Sequence, residues 1–314
     1  MSQHSCAPPT EDASLAVRPA RPGKPVGDVR AKAPASTLGR VVGSRITHAF
    51  VASALLHIIA QRLAVPWVQA RAAKALSPGD ALYLAQKLPS TVNALVVGLC
   101  SSAAIASGLR DGTLFSSTFY SDNLDRAFAN QAGFMLYDMC VMALHGRESA
   151  SVWIHHVFGF LGTFLIRIYK QGAGVPGVFA PSELTVLVSN LLWAARKLPD
   201  SSLAAASVQA RLLRLRALVF LLIRFPVGPY VIARFGRSLL DPKAPFFTDR
   251  PTRPLHSGAK ESQQDEILAP LSSVVVFGCF FNTAVFTLLN TSWTIQVLQS
   301  LIRTSRSEKP IHHI

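Results

Sequence analysis

The chain has 314 residues, of which 50% are hydrophobic and only 15% are charged. Soluble domains usually carry about 25% charged residues, so the composition argues against an ordinary soluble domain. The apolar residues lie in blocks of about 15 to 25, close to the roughly 20 helical residues that cross a bilayer. The sequence therefore predicts an all-α fold, a polytopic membrane helix bundle with six or seven transmembrane helices.

The net charge of +14 bears on the partners of the chain. Because Lys and Arg lie mostly between the apolar blocks, the expected partners are membrane lipids and not nucleic acid. The four cysteines are scattered without a CxxC pair, so we expect neither a disulfide framework nor a metal site.

Residues 1–45 contain six prolines and seven Lys or Arg against three acidic residues, without apolar periodicity. This composition predicts a disordered basic N-terminal tail. The first forty residues lack the apolar h-region of a signal peptide, so insertion is expected to depend on an internal transmembrane helix.

Seven apolar blocks follow in the order 46–68, 92–108, 128–144, 152–168, 182–195, 217–232 and 271–298. Only seven residues join the third block to the fourth, which predicts an antiparallel hairpin. The fifth block is too short for an ordinary span, so it either crosses a thinned bilayer or is re-entrant. The transmembrane domain is expected to cover 46–305, with an exposed Pro-rich loop at 237–265 and a C-terminal tail at 306–314.

The basic residues indicate an orientation. Those before the first helix predict a cytosolic N-terminus, and a second basic group surrounds the connection between the fifth and sixth blocks: Arg196, Lys197, Arg211, Arg214 and Arg216. Seven full spans would put these two groups on opposite sides of the membrane. A re-entrant fifth block would put both in the cytosol, and the charge pattern favours that arrangement.

Ionisable residues inside the apolar blocks are candidate functional groups, because a charged side chain at the bilayer centre costs about 2.5–3.5 kcal/mol. Gln131 and Asp138 lie seven residues apart and share one face of the third helix. The fourth helix carries His155 and His156, and histidine is the usual proton-transfer group near neutral pH. We predict Asp138, His155 and His156 as catalytic residues, with Asp138 and at least one of the histidines facing one interior cavity. Alternatively, Asp138 only pairs with an Arg and holds the bundle together.

The other intramembrane polar residues are predicted to line the same cavity. They are Gln131, Glu183, Asn190, Arg224 and Asn290. A buried guanidinium stays charged and needs a partner. We therefore predict that a carboxylate holds Arg224, with Glu183 favoured over Asp138.

Several short motifs occur here in the order found in the TLC-domain family, which this sequence resembles. They are Gly-Phe-Met-Leu-Tyr-Asp at 133–138, Trp-Ile-His-His at 153–156, Ser-Glu-Leu-Thr at 182–185 and Asn-Thr-Ser-Trp at 290–293. The resemblance covers 80–305 and is closest to the small transmembrane members of the type-4 branch. It implies a multi-pass protein of the endoplasmic reticulum or Golgi, with helices around a lipid-sized cavity.

The resemblance also implies a possible chemistry. In the ceramide synthases of this family, the paired histidines serve acyl transfer from acyl-CoA to a sphingoid amine, and His155 and His156 match that pair. Two departures weigh against this sphingolipid chemistry. Asn93 stands where the family pattern has a histidine, and of the downstream His/Asp cluster only the acidic residue Glu183 remains.

Three functions stay open at this point. The leading hypothesis is a membrane lipid-homeostasis protein that binds or senses acyl lipids in a helical cavity, without a cofactor. The alternative is a ceramide-synthase-like N-acyltransferase that uses acyl-CoA as co-substrate, with His155 and His156 in acid–base roles. The third is a transporter with Asp138, Glu183 and Arg224 along its path. Whether the chain is an enzyme, its lipid class, its protein partners and its oligomeric state are left open.

Overall fold

The computed structural model describes residues 35–70, 76–145, 148–197, 203–240 and 273–307. Every regular element within these ranges is helical, which confirms the predicted all-α bundle. Six helical stretches are long and apolar enough to cross a membrane. Most of the predicted tail, most of the Pro-rich loop and residues 308–314 lie outside the described residues.

The first pass consists of α1 (Ala35–Ile59), a π-helical turn (Ala60–Ala64) and α2 (Val65–Gln69). Helix α1 begins at Ala35, so it includes the last residues of the predicted N-terminal tail. The wide turn comes directly before Pro66, which has no backbone N–H to offer the preceding turn. The helix therefore continues past the proline with a locally altered hydrogen-bond pattern.

The next three passes through the bundle are single helices: α3 (Pro78–Arg110), α4 (Asp122–His145) and α5 (Ala150–Tyr169). Of the seven passes, α4 is the one outside the six stretches that are long and apolar enough to cross a membrane. Ser77 caps α3, since its hydroxyl accepts a hydrogen bond from the Asp80 amide at 3.1 Å. Helices α4 and α5 pack against each other, so the predicted hairpin is confirmed. Helix α5 is followed by its C-cap residue Lys170, which has a left-handed backbone with φ of 50°.

The fifth pass corrects the prediction of a short, possibly re-entrant segment. It comprises α6 (Gly174–Phe179), a 3-10 turn (Ala180–Leu184) and α7 (Thr185–Lys197), and Gly174–Lys197 spans 24 residues. A Cβ on Gly174 would overlap the carbonyl oxygen of Leu114, just beyond the end of α3. At its other end, Lys197 Nζ lies 3.0 Å from Asp80 Oδ2 at the start of α3. The fifth pass therefore runs antiparallel to the whole of α3.

The sixth and seventh passes complete the bundle. Helix α8 (Leu203–Val219) continues through a π-helical turn (Phe220–Arg224) into α9 (Phe225–Leu240), which includes the first residues of the predicted loop. The helix accommodates Pro226 through this wide turn directly before it. Helix α10 (Ser273–Ser307) packs against α5, α8 and α9.

Polar contacts define the two ends of the bundle. At the Asp125 end, Asp125 at the start of α4 accepts hydrogen bonds from Arg167 Nε at 3.1 Å and from Arg45 of α1. The Tyr120 hydroxyl donates to the same carboxylate at 2.6 Å. At the opposite Asp80 end, the Gln209 side chain of α8 donates to the Ala195 carbonyl oxygen of α7 at 3.1 Å. The starts of α1 and α8 thus lie at opposite ends of the bundle, which favours the arrangement with the two basic groups on opposite sides of the membrane.

Candidate functional site

Asp138 and His156 form a buried pair between α4 and α5. His156 Nε2 lies 2.7 Å from Asp138 Oδ2, and His156 Nδ1 lies 2.9 Å from the Val152 carbonyl oxygen. The structure therefore brings Asp138 into contact with one of the two histidines. A carbonyl oxygen can only accept, so Nδ1 carries a proton, and the short contact to Asp138 requires a second proton between ring and carboxyl. Both ring nitrogens of His156 are thus occupied.

The sequence analysis did not single out Gln86, yet it completes this pair by donating a hydrogen bond to Asp138 Oδ1. One heptad further along α3, Asn93 Nδ2 donates to Gln131 Oε1 of α4 at 2.8 Å. The antiparallel helices thus bring a two-residue polar stripe of α3 against a two-residue polar stripe of α4. The heptad spacing of Gln86 and Asn93 was the signal that could have identified the first contact.

His155 faces the other side of α5, as expected for neighbours that diverge by about 100° on a helix. Its Nε2 lies 3.7 Å from Glu183 Oε1. Its ring packs against two rings of α10, with centroid distances of 5.1 Å to Phe286 and 5.3 Å to Trp293. The Nδ1 atom is buried and has no hydrogen-bond partner among the described residues. The two histidines therefore belong to two different environments.

Arg224 ends the π-helical turn and is fully surrounded by α7 and α10. Its Nε donates to Thr185 Oγ1 at 2.6 Å and its Nη1 to Asn290 Oδ1 at 3.3 Å. The guanidinium carbon lies 5.3 Å from the centroid of the Trp293 ring. Thr185 and Trp293 belong to motifs of the family resemblance, but the sequence analysis gave neither residue a role.

The predicted direct pairing of Arg224 with Glu183 or Asp138 is wrong. Among the described residues, no carboxylate oxygen lies within 4.0 Å of the Arg224 guanidinium. Neutral oxygens and aromatic faces compensate the cation instead, while Glu183 attracts it from a longer distance. The partner differs because the 3-10 turn before Thr185 rotates Glu183 towards His155.

A cavity of about 250 Å³ lies between α3, α4, α5, α6 and α10. Most of its wall is apolar and includes Val97, Phe128, Met135, Ile166, Val175 and Phe179. Three further lining residues are well exposed on the side of the bundle, namely Leu161 at 43%, Phe277 at 69% and Phe281 at 43%. The cavity therefore opens on the outer surface of the bundle, at the faces of α5 and α10.

Of the five residues predicted to line the cavity, Gln131 and Glu183 do so. Asn290 and Arg224 do not line the cavity and are hydrogen-bonded to each other. Asn190 faces α3, where its Nδ2 donates to Thr91 Oγ1 at 3.0 Å. Neither Asp138 nor a histidine is among the residues that line this cavity.

Three polar atoms on one face of α10 are buried and unpaired within the part of the chain that the structure describes. They are Thr283 Oγ1, Thr287 Oγ1 and Asn290 Nδ2, and Thr283 lines the cavity. An unsatisfied buried polar group costs about 1–3 kcal/mol, so such a row needs a partner such as water or a polar ligand. No group of three or more His, Cys, Asp or Glu in the described ranges could hold a metal ion.

The comparison with known families covers both histidine environments. The sequence profile described as the TLC domain matches residues 85–299, a range that begins just before Gln86 and ends beyond Asn290. No curated protein and no solved structure matches the chain. The match extends over more than half of the sequence and includes most of α3, all of α4 to α9 and most of α10.

Proposed function

This chain belongs to the TLC-domain family of proteins, and we propose that it binds the acyl chain of a membrane lipid in the cavity beside α5 and α10. The proposed biological role is in membrane lipid homeostasis, in the endoplasmic reticulum or Golgi, as a member of the type-4 branch. The single observation that carries the proposal is a mostly apolar cavity that opens on the side of the bundle and has a few polar residues at its inner wall.

The cavity supports lipid binding because its mouth lies on the side of the bundle, where acyl chains are the surrounding solvent. A chain that moves from the bilayer into an apolar cavity gains little hydrophobic free energy, since lipid tails are as apolar as the cavity wall. Affinity then has to come from close packing and from polar contacts at the inner wall. Gln131, Glu183 and Thr283 supply such contacts for the polar end of a lipid.

Binding without turnover is favoured over acyl transfer by the position of the histidines. Both nitrogens of His156 already face oxygen atoms of the protein, and neither ring lines the cavity. A general base needs a free nitrogen within hydrogen-bond reach of the reacting group. Acyl transfer from acyl-CoA is therefore the alternative function, and the incubation with acyl-CoA described below tests it.

A matched pair of glycine substitutions tests the proposal. Gly278 lines the cavity, and an added Cβ there would meet no described atom closer than 3.9 Å, so Gly278→Leu fills the space without a backbone clash. Gly236→Leu on α9 is the control, because an added Cβ meets nothing within 4 Å. The full chain is incubated in nanodiscs with a photoreactive fatty-acyl phospholipid, and the labelled peptides are identified by mass spectrometry.

We expect labelling of α5 and α10 in the wild type and in Gly236→Leu, with most of it lost in Gly278→Leu. Equal labelling of all three proteins would overturn the proposed binding site. A parallel incubation with acyl-CoA and a sphingoid amine tests the alternative. If the wild type forms an N-acyl product and His155→Ala does not, the function is acyl transfer and not binding.

A further inference from the structure

A second candidate lipid site lies at the Asp80 end of the bundle, apart from the cavity. We propose that the Asp80 end of the bundle binds the phosphate group of an anionic phospholipid through Lys87, Arg196 and Arg216, here called the basic cluster. These residues belong to α3, α7 and α8, and none of them lines the cavity. The proposal is independent of acyl-chain binding and goes beyond it.

Aromatic rings hold two of the three cations in place. Lys87 Nζ lies 3.6 Å from the centroid of the Tyr83 ring and 5.9 Å from that of Trp193. The Arg216 guanidinium carbon lies 5.4 Å from the centroid of the Phe220 ring. Such cation–π contacts orient a cationic side chain without pairing it to an acidic group.

The basic cluster lacks an acidic partner within the described residues. The one ion pair nearby joins Lys197 to Asp80 at 3.0 Å, and none of the three cluster residues forms an ion pair there. Arg216 is repelled by Arg196 and itself repels Lys87, while Asp138 and Glu148 attract Lys87 only from a distance. Like charges held close together without a counter-ion are unfavourable, and a phosphate would relieve that repulsion.

One donor of the cluster points specifically to a missing ligand. Arg216 Nε is buried and has no hydrogen-bond partner in the described part of the chain. A guanidinium offers its N–H groups in a planar fork that matches two phosphate oxygens. The unpaired Nε is therefore a donor that a bound oxyanion would satisfy.

The position of the cluster identifies a lipid headgroup as the source of the phosphate. Arg216 lies ten residues after Ala206, the first residue of the membrane-crossing stretch Ala206–Arg234, and Arg211 and Arg214 are exposed five and two residues before it on α8. Arginines near the end of a span extend towards the headgroups, where anionic phospholipids concentrate. A headgroup phosphate on this side of the bilayer is therefore the proposed ligand of the basic cluster.

The test compares charge-neutralising variants in membranes of defined composition. The full chain is placed in nanodiscs of phosphatidylcholine alone or of phosphatidylcholine with phosphatidylserine, and thermal unfolding is measured. The variant Arg196→Gln/Arg216→Gln removes two charges of the cluster. Arg110→Gln/Arg126→Gln is the matched control, because it removes two exposed arginines at the Asp125 end.

We expect phosphatidylserine to raise the unfolding temperature of the wild type and of the control by about 3 °C, and less at high salt. The cluster variant should lose at least half of this increase. In phosphatidylcholine alone it should be at least as stable as the wild type, because the repulsion is relieved. Gly278→Leu should keep the full response, which separates this site from the cavity.

Three results would overturn the proposal. One is an undiminished phosphatidylserine response in the cluster variant, and another is a loss of stability of that variant in both membranes. The third concerns the source of the phosphate, tested by adding adenosine 3′,5′-bisphosphate to nanodiscs of phosphatidylcholine. If the soluble bisphosphate stabilises the wild type and phosphatidylserine does not, the cluster serves a soluble ligand. Native mass spectrometry of retained phosphatidylserine gives a readout that does not depend on unfolding.

Discussion

Gln86 on α3 and Asp138 on α4 are hydrogen-bonded across two antiparallel helices, and Asp138 in turn holds His156 on α5. One heptad away, Asn93 and Gln131 repeat the same contact between α3 and α4. These polar pairs fix the relative height and rotation of the helices, which apolar packing alone leaves less constrained. The histidine is thereby oriented from a helix that it does not belong to.

Replacement of Gln86 tests this orientation. Gln86→Leu removes the donor to Asp138 Oδ1 and leaves a buried carboxylate oxygen without that partner, which we expect to lower the free energy of unfolding by about 1–3 kcal/mol. Gln296→Leu is the control, because Gln296 is exposed and bonds only to Ser292 on its own helix. Thermal unfolding in detergent should show a clear loss for the first and less than about 0.5 kcal/mol for the second. Equal effects would mean that the α3–α4 contact does not stabilise the bundle.

Tyr120 predicts a sensitivity to alkaline pH. Burial, together with the hydrogen bond to Asp125, raises the pKa of Tyr120 above its ordinary value of 10.0. The folded state therefore favours the protonated hydroxyl. Its stabilising effect is complete below the unfolded-state pKa and is lost as pH rises towards the folded-state pKa. Stability should fall above about pH 10 by at most about 1.4 kcal/mol per pH unit.

The measurement is thermal unfolding between pH 8 and pH 11. Tyr120→Phe should flatten this part of the pH profile while lowering stability at pH 8, because the bond to Asp125 is gone. Tyr169→Phe serves as the control and should keep the alkaline decline. A profile that is unchanged by Tyr120→Phe would assign the decline to another group.

The surroundings of Arg224 predict which substitutions are coupled. Thr185→Val removes the oxygen that accepts from Arg224 Nε, and hydrogen bonds to charged groups contribute about 1.5–3 kcal/mol. In double-mutant cycles with Arg224→Leu, we expect a larger coupling energy for Thr185→Val than for Glu183→Gln. A dominant coupling to Glu183 would show that the carboxylate, and not the hydroxyl, neutralises the guanidinium.

The seven passes predict opposite locations for the start of α1 and the start of α8. Single cysteines are introduced by Gly43→Cys and Ser207→Cys in a background whose native cysteines are replaced by serine. A membrane-impermeable thiol reagent should label one of the two in intact membrane vesicles and the other only after permeabilisation. Labelling of both cysteines from the same side would instead support a re-entrant fifth segment.

Much of the architecture could be predicted from the sequence, because crossing a bilayer imposes a length and a composition that are visible along the chain. The apolar blocks, the α4–α5 hairpin and the polar stripe of Gln131 and Asp138 follow from local spacing alone. The divergence of His155 from His156 follows from the helical repeat. These features depend only on residues that are close in the chain.

Only the tertiary structure decided which polar groups meet. Whether Arg224 contacts Glu183 or Thr185 depends on the rotation of α7 and α9 about their axes, and the 3-10 turn sets that rotation. The turn lies in a segment whose apolar pattern along the sequence is interrupted by Gly174, Gly177 and Pro181. The sideways cavity likewise requires close approach of α5 and α10, where a Cβ on Gly162 would overlap the Asn282 side chain. Contacts between distant helices depend on packing distances and tilts, and no pattern along a single helix encodes these.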